Sequence, residues 1–170
     1  MAIYATMDSP VGELLLVGEQ AGDGAVLTAL SMAGEKRVAV RDEWDRRPGA
    51  FAEIIAQLEA YFRGALQRFD IEWAPVGTDF QRRIWDVLDG IPYGTTVSYG
   101  EIAARIGVSR AAVRAVGTAI GANPLLIVRP CHRVIGANGA LTGYAGGVER
   151  KRELLELEGA LVADRVGVLF

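Results

Sequence analysis

Cysteine and histidine are the scarcest reactive residues in this chain of 170 residues, which has one of each. A single cysteine excludes an internal disulfide and gives no sign of a secreted, disulfide-bonded scaffold. One cysteine and one histidine are too few for the four ligands that a structural zinc ion usually takes, so we expect no metal. The two residues are neighbours, Cys131 and His132, and this pair is the first candidate for chemistry.

Long apolar runs are also lacking, although apolar residues make up 51% of the chain. No stretch approaches the roughly 20 apolar residues that a membrane-spanning helix needs. The start of the chain, MAIYATMDSP, has neither the basic beginning nor the apolar centre of a signal peptide. We therefore expect a cytoplasmic protein that has no membrane partner.

The net charge of −3 is divided unevenly along the chain. Residues 1–78 have an acidic excess, whereas residues 79–170 have a small basic excess. This distribution favours the second half as the part that would meet a polyanion such as DNA.

Before residue 75 the sequence predicts a small antiparallel sheet and one helix. Strand-like runs separated by turn clusters lie at residues 2–6, 13–17, 25–31 and 69–73, and residues 34–48 show no regular pattern. Apolar residues at helical spacing from Phe51 to Phe62 predict a helix that covers one face of the sheet. Ala74–Gly77 predicts a linker, so we expect a sheet-and-helix domain over residues 1–75 and a second domain over residues 76–170.

After residue 76 the signals are mostly helical, which makes the predicted fold class α+β. Two capping boxes, Thr78 with Gln81 and Ser98 with Glu101, predict the starts of two helices. Another helix is predicted over residues 110–120, and the short glycine-containing break before it gives the spacing of a helix-turn-helix.

The predicted helix over residues 110–120 is unusually thin, because Arg114 is the only long side chain in its middle. Small residues permit close packing on a neighbouring helix with Arg114 in solvent, and the spacing alone favours that interpretation. They also permit a recognition helix that enters a DNA groove, with Arg114 inserted into the base stack.

The last third of the chain contains three further signals. Asn138-Gly139, flanked by residues 133–135 and 140–142, predicts a β-hairpin. The glycine-rich stretch 143–147 lacks the spacing of a phosphate-binding loop, so we expect no nucleotide cofactor. A final helix is predicted to end at Glu158-Gly159, with the basic residues 150–152 on its solvated side.

The segment Pro130-Cys131-His132-Arg133-Val134 permits two interpretations of the cysteine. A thiolate beside an imidazole and a guanidinium is a strong nucleophile. A free cysteine is also often just a small buried apolar residue. If the segment is extended, Arg129 lies on the same side as Cys131, and it must find a carboxylate, reach solvent or belong to a rearranged segment.

Four motifs in order support the first interpretation: Asn123-Pro124, the segment 130–134, the loop 143–147 and Glu158-Gly159. Together they resemble the O6-alkylguanine-DNA alkyltransferases, closely over about residues 78–160 and less closely before them. The resemblance implies a stoichiometric, irreversible transfer of an alkyl group from O6-alkylguanine, and from O4-alkylthymine, in double-stranded DNA to the cysteine. It implies a base flipped through the minor groove, and no cofactor.

The resemblance also implies roles for individual residues. Cys131 would be the acceptor, His132 its base through a water molecule, Glu158 the group that orients the histidine, and Asn123 a brace for the turn. Tyr99 would rotate the nucleotide and protonate the leaving guanine. The DNA-binding residues would be Tyr99, Ala112, Arg114, Ala115, Gly117 and Thr118, and the base pocket would be lined by Ile120, Val134, Tyr144 and Ala145.

Departures from the family pattern keep alternatives open. Arg129 replaces an aliphatic residue, Ala145 lacks a common hydroxyl, and Val113 and Thr118 are bulkier than usual. A sensor that binds alkylated bases without transfer, a Cys-His thiol hydrolase and a purely regulatory helix-turn-helix protein remain as alternatives. We expect a monomer, and the sequence leaves open whether copies bind cooperatively on DNA.

Overall fold

The computed structural model describes residues 1–34 and 38–161, and it confirms an α+β fold. Within these ranges the strands are β1 Ala2–Met7, β2 Leu14–Ala21, β3 Gly24–Met32, β4 Asp45–Arg46, β5 Val97–Ser98 and β6 Val134–Ile135. The α-helices are α1 Ala52–Phe62, α2 Asp79–Asp89, α3 Tyr99–Arg105, α4 Val113–Gly121 and α5 Val148–Leu157. Short 3₁₀ turns lie at Pro48–Phe51, Arg110–Ala112 and Cys131–Arg133. No helix of the described part is long and apolar enough to cross a membrane.

The N-terminal sheet has the strand order β3-β2-β1-β4. Its first three strands pair antiparallel, as predicted. The edge strand β4 pairs parallel with β1, joining Ile3 to Asp45 and Tyr4 to Arg46. This strand was not predicted, because two residues are too few to display an alternating pattern.

The predicted strand over residues 69–73 is wrong. Only Trp73 forms a bridge, parallel to Leu27 of β3, with Leu27 N–H donating to Glu72 O and Ala74 N–H donating to Leu27 O, each at 3.0 Å. The alternation before Trp73 comes from side chains that pack against the core without a partner strand.

The same edge of β3 also holds the chain that leads to the cysteine. Leu30 bridges Leu125 in parallel, with Leu30 N–H donating to Pro124 O at 2.8 Å. Leu126 N–H donates to Leu30 O at 3.1 Å. The N-terminal sheet therefore positions the candidate active-site segment directly.

One hydrophobic core joins the sheet to the helices of both halves. The predicted first helix is confirmed as α1, which turns Ile54, Leu58 and Tyr61 inward, and α2 turns Ile84 and Leu88 to the same core. Each large apolar side chain contributes roughly 1.5–3 kcal/mol when it is fully buried. Because this core is continuous, the division into domains at residues 75 and 76 stays a prediction.

The two predicted capping boxes are confirmed. Thr78 Oγ1 accepts from Gln81 N–H at 3.1 Å while Gln81 Oε1 accepts from Thr78 N–H at 2.9 Å. Ser98 and Glu101 make the same reciprocal pair. α3 and α4 follow as the helix-turn-helix pair, although Arg110–Ala112 is a 3₁₀ turn where the sequence predicted regular helix.

The predicted hairpin around Asn138-Gly139 is wrong, although the turn exists. Gly136 N–H donates to Ala140 O and Gly139 N–H donates to Gly136 O, each at 2.8 Å. Beyond the turn no strand forms among residues 140–142, and β6 pairs parallel with β5. A local sequence signal could not reveal that the strand residues find a partner far away in the chain.

Candidate active site

The chain makes a strained turn shortly before the cysteine. Val128 N–H donates to Leu126 O at 2.7 Å, which closes a three-residue turn around Ile127. Ile127 has a φ of 70°, an unfavourable value for a β-branched residue. Ile127 is 1% exposed, so close packing around it holds the backbone in this conformation.

The cysteine itself begins a 3₁₀ turn, and the segment is not extended. Cys131 N–H donates to Arg129 O at 2.7 Å around Pro130, and Cys131–Arg133 then forms the turn. Side chains do not alternate across such a turn as they do along a strand. Adjacent Cys131 and His132 are therefore not forced onto opposite faces of the backbone, as they would be in an extended strand.

Arg129 is buried, but it finds a carboxylate. Its Nε lies 3.2 Å from Asp89 Oδ1, and its guanidinium carbon lies 5.5 Å from the ring centre of Trp73 and 4.9 Å from that of Trp85. Stacking on aromatic faces and an ion pair offset the cost of burying this charge. Arg129 therefore anchors the segment on α2 and Trp73.

The thiol of Cys131 is 5% exposed, and burial raises its pKa. A hydrogen bond with Asn123 and the positive charge of Lys151 oppose this increase. Asn123 also braces the turn, because its Nδ2 donates to Arg129 O at 3.1 Å and its Oδ1 accepts from Leu125 N–H at 3.0 Å. A thiol in this setting needs a base to become a nucleophile.

His132 is fully buried next to Glu158, which follows the last residue of α5. Its Nε2 lies 2.7 Å from Glu158 Oε2, so the proton on Nε2 points at the carboxylate. Burial lowers the pKa of His132, whereas the bond to Glu158 raises it. Nδ1 has no hydrogen-bond partner among the described residues and is left as the proton acceptor.

Glu158 is the centre of a charged network. Arg133 binds it with both arms, Nε to Oε1 at 2.7 Å and Nη2 to Oε2 at 3.0 Å, and the hydroxyl of Tyr61 donates to Oε2 at 2.5 Å. Burial by itself raises the pKa of Glu158, but the bonds from His132, Arg133 and Tyr61 outweigh it and hold the pKa at about 2. The carboxylate is therefore ionised throughout the ordinary pH range.

Lys151 lies near the cysteine, which corrects the prediction that residues 150–152 are solvated. Lys151 is fully buried, its Nζ donates to Thr142 O at 2.7 Å, and it stands 5.9 Å from the ring centre of Tyr99. Burial lowers its pKa to about 8, opposed by Cys131. Tyr99 donates its hydroxyl to the same carbonyl at 3.0 Å, and burial raises the pKa of Tyr99.

The glycine-rich loop closes over this region. Tyr144 is buried and its hydroxyl has no hydrogen-bond partner within the described ranges, while Ala145 is half-buried. A Cβ on Gly146 would come within 2.4 Å of Met32 Sδ and 2.9 Å of Tyr144 Cε2. The loop can therefore pack this closely only because residue 146 is glycine.

The predicted base-pocket residues Ile120 and Val134 are both buried in the hydrophobic core, 3% and 0% exposed. Tyr99 and Tyr144 each lie within electrostatic range of Cys131. Ile120 and Val134 belong to the same hydrophobic core as Cys131 and Tyr144. Their assignment to a base pocket stays a prediction.

The helix α4 has two different faces. Val116 and Ala119 pack inward, and Trp85 Nε1 donates to Ala119 O at 2.9 Å, so close helix packing is present on this face. The other face carries predicted DNA-binding residues: Arg114, Ala115 and Thr118 are exposed and Gly117 is half-buried, as is Ala112 in the 3₁₀ turn just before the helix. This leaves the second face free for the predicted contact with DNA.

Sequence reasoning missed three functional-site residues. Arg133 was noted only as a neighbour of the thiol, and its bidentate bond to Glu158 was not foreseen. Lys151 was placed in solvent, although apolar Leu154 and Leu155 follow it at helical spacing and could have suggested burial. Tyr61 looked like one more core aromatic of α1, and no local signal connects it to Glu158.

The chain belongs to the methylated-DNA–protein-cysteine methyltransferase family. The family model for the 6-O-methylguanine DNA methyltransferase DNA binding domain matches residues 79–160, and the model for the ribonuclease-like domain of the same proteins matches residues 2–75. Proteins named methylated-DNA–protein-cysteine methyltransferase are 56% identical in Mycobacterium tuberculosis, over 93% of each chain, and 50% identical in Methanosarcina acetivorans, over 92% of this chain and 98% of the other.

Solved structures agree with this assignment. The O6-methylguanine methyltransferase of Mycobacterium tuberculosis matches with a TM-score of 0.85 at 52% identity over 99% of each chain. The same bacterium's protein in complex with DNA matches with a TM-score of 0.82 at 54% identity over 93% of each chain. The family and the fold expected from the sequence are therefore confirmed, and DNA is the partner that this family binds.

Proposed function

We propose that this protein repairs DNA by transferring the alkyl group of O6-alkylguanine to Sγ of its own Cys131. The observation that carries the proposal is the buried His132–Glu158 pair at 2.7 Å, directly beside the one cysteine of the chain. A carboxylate on Nε2 fixes the tautomer in which Nδ1 accepts a proton. His132 then takes the thiol proton through a water molecule, and Glu158 stabilises the imidazolium.

The transfer is a single displacement at carbon. Sγ forms a bond to the alkyl carbon while the bond between that carbon and O6 breaks. The electron pair of the broken bond stays on guanine. Tyr99 is protonated at neutral pH, as tyrosine ordinarily is, and burial raises its pKa further, so it has a proton to give to the leaving base. Over the whole reaction the thiol proton passes to His132, guanine gains the Tyr99 proton, and solvent carries a proton from the imidazolium back to the tyrosinate. The alkyl group stays on sulfur, so the step needs no cofactor and happens once per chain.

DNA would meet the protein at the exposed face of α4. A base inside a duplex cannot present O6 to a buried sulfur, so the nucleotide must flip, which costs a few kcal/mol. Exposed Arg114 at the centre of a face of small residues suits the replacement of the flipped base in the stack. Binding through the minor groove would read little sequence, as scanning for a lesion requires.

The finer parts of this function rest on the family resemblance. We infer that O4-alkylthymine is a second substrate, that the protein works in the cytoplasm as a monomer, and that residues 1–75 and 76–170 are separate domains. The two domains would share the site, because Tyr61 in residues 1–75 donates a hydrogen bond to Glu158 in residues 76–170.

The experiment incubates the protein with a duplex that carries one O6-methylguanine and then weighs the intact protein by mass spectrometry. The proposal predicts a gain of one methyl group, stopping at one per chain, with guanine restored in the duplex and no gain in Cys131→Ser. Tight lesion binding without a mass gain would make the protein a sensor. Turnover of a thioester or ester without a stable adduct would make it a thiol hydrolase.

A further inference from the structure

The hydroxyl of Tyr61 reaches the relay carboxylate from the N-terminal half of the chain. Tyr61 lies on α1, fully buried, and its ring packs edge-on against Phe62 and Tyr93. Its hydroxyl oxygen is 2.5 Å from Glu158 Oε2, the shortest of the contacts that the carboxylate makes with its three partners. Neither α1 nor any other part of residues 1–75 has a role in the reaction derived above.

Tyr61 and His132 compete for one oxygen. Both contact Glu158 Oε2, at 2.5 Å and 2.7 Å. Arg133 Nη2 is a third and longer donor to the same oxygen, at 3.0 Å, whereas Arg133 Nε binds Oε1. Burial and the neighbouring carboxylate raise the pKa of Tyr61 far above its ordinary value, so the hydroxyl keeps its proton and donates. Each donor on a shared oxygen weakens the charge that the oxygen offers to the other donor.

Arg133 holds the Glu158 carboxylate in position independently of the Tyr61 hydroxyl. Its two arms hold the carboxylate plane from one side, and its Nη1 donates to Ile91 O at 2.6 Å. With that clamp in place, loss of the Tyr61 hydroxyl leaves Glu158 where it is. What changes is the strength of the bond between Glu158 and His132.

We propose that Tyr61 is a positioning residue of the relay, through which the N-terminal half of the chain limits how strongly Glu158 Oε2 binds His132. This inference rests on the proposed function, because the relay is the one that activates Cys131. It gives the N-terminal half a chemical role in addition to its support of the active-site segment.

Titratable and charged groups surround His132 and Glu158 from several elements. Glu158, Arg133 and Lys151 act on His132 electrostatically, Tyr144 packs edge-on against its ring, and Cys131 is its neighbour in the 3₁₀ turn. Tyr61 of α1 contacts Glu158. Arg133 and Lys151 oppose protonation of the imidazole, whereas Glu158 favours it. Removing the Tyr61 hydroxyl alters none of these charges, so its effect reaches His132 only through Glu158.

The test is a nuclear magnetic resonance measurement on Tyr61→Phe, which removes one hydroxyl and keeps the ring. His132 is the single histidine of the chain, so its ¹⁵N signals and its Nε2 proton are unambiguous. At neutral pH we expect the Nε2 proton to move downfield, because Glu158 then binds it more strongly. Placing 3-fluorotyrosine at residue 61, a stronger donor, is expected to move it upfield.

Tyr93→Phe is the matched control. Tyr93 packs against Tyr61, but its hydroxyl contacts Leu157 O at 3.4 Å and has no hydrogen bond to Glu158. An unchanged Nε2 proton in Tyr61→Phe, or an equal shift in Tyr93→Phe, would overturn the proposal. Opposite shifts for phenylalanine and fluorotyrosine at residue 61 would establish it, since general loosening of the fold moves both in the same direction.

The second readout is the pH dependence of methyl transfer. A stronger bond to Glu158 makes His132 more basic, so the pH of half-maximal rate on the acid side is expected to rise in Tyr61→Phe. An unchanged pH of half-maximal rate would contradict the link between Tyr61 and the relay. If no methyl transfer occurs in the wild type, the proposed function fails, while the magnetic resonance result still decides the role of Tyr61.

Discussion

The relay around Glu158 and the outer face of α4 differ in what holds their residues in place. In the relay, every charge lies within hydrogen-bond distance of another buried group, and the side chains of His132 and Glu158 are fully buried. On the outer face of α4, Arg114 and Thr118 are exposed, and Thr118 Oγ1 donates only to the Arg114 carbonyl of its own helix, at 3.1 Å. Substitutions in the relay are therefore expected to disturb chemistry and folding together, whereas substitutions of the exposed residues Arg114 and Thr118 are expected to disturb DNA binding alone.

The largest loss of folding stability is expected from Glu158→Gln. It leaves Arg133 buried without its charge partner, and breaking a buried pair in this way costs about 3–5 kcal/mol. Urea denaturation at pH 7 measures the free energy of unfolding. Glu153→Gln, an exposed change on the same helix, is the control and is expected to alter stability little. Equal stability of the two variants would contradict the network.

The same carboxylate gives the wild-type protein a characteristic pH dependence. A pKa lowered from the ordinary 4.5 to about 2 on folding contributes about 3 kcal/mol of stability. Because the folded pKa is the lower one, this contribution is complete above pH 4.5 and is lost as the pH falls towards 2. Unfolding curves measured over this range in the wild type and in Glu158→Gln are expected to converge at low pH. Parallel curves would show that Glu158 is not the group responsible.

An intermediate effect is expected from Arg129→Met, which keeps the volume and removes the charge. The loss of the ion pair and of the stacking on two tryptophans costs about 2 kcal/mol, less than in the relay because Asp89 is 28% exposed at its side chain. Methyl transfer at saturating DNA is expected to change little, since the Arg129 guanidinium is paired with Asp89 and lowers the pKa of the Cys131 thiol less than Asn123 and Lys151 do. Exposed Arg68→Met is the control. A transfer rate that falls with the stability would place Arg129 in the chemistry.

Arg114→Ala is expected to change folding stability little but to weaken DNA binding clearly. Loss of one inserted or phosphate-contacting arginine weakens DNA binding by about 1–3 kcal/mol. Fluorescence anisotropy at several salt concentrations measures the affinity. Arg63→Ala, exposed after α1, is the control and is expected to bind as the wild type does. Unchanged affinity of Arg114→Ala would move the DNA contact away from this face.

The smallest effect is expected from Gly117→Ala. A Cβ there would lie 3.8 Å from Tyr99 Cδ1, an ordinary contact, and alanine stabilises a helix interior by roughly 0.5–1 kcal/mol over glycine. Thermal unfolding is expected to show a slight gain, with DNA affinity nearly unchanged. Gly117→Leu is expected to displace Tyr99 and weaken both binding and transfer. Identical behaviour of the alanine and leucine variants would show that Tyr99 does not depend on this space.

The two regions also differ in how much the sequence could predict. Helix starts follow from local chemistry, so the capping boxes at Thr78 and Ser98 were predicted correctly. Pairings between distant segments leave no local trace, so the partner of β6 and the bond from Tyr61 to Glu158 were missed. Arg129 looked misplaced only because Trp73 and Asp89, which receive it, are far away in the chain.

The cysteine segment is the clearest case of a limit on local reasoning. The sequence permitted an extended backbone in this segment, but the structure has a positive φ at Ile127 and a 3₁₀ turn, which arise from packing around the segment. The motif therefore identified the chemistry of the site, while the shape of the backbone that presents it had to come from the structure.

The most direct test of the difference between the relay and the outer face of α4 is the single-turnover rate of methyl transfer. It is measured as a function of DNA concentration in His132→Gln and Arg114→Ala. Glutamine retains an N–H donor for Glu158 but lacks the Nδ1 acceptor. The account predicts that His132→Gln lowers the maximal rate by about 10²–10⁴ at an unchanged half-saturating DNA concentration. It predicts that Arg114→Ala raises the half-saturating concentration. A normal maximal rate in His132→Gln would contradict the account, because Cys131 would then be activated without the relay.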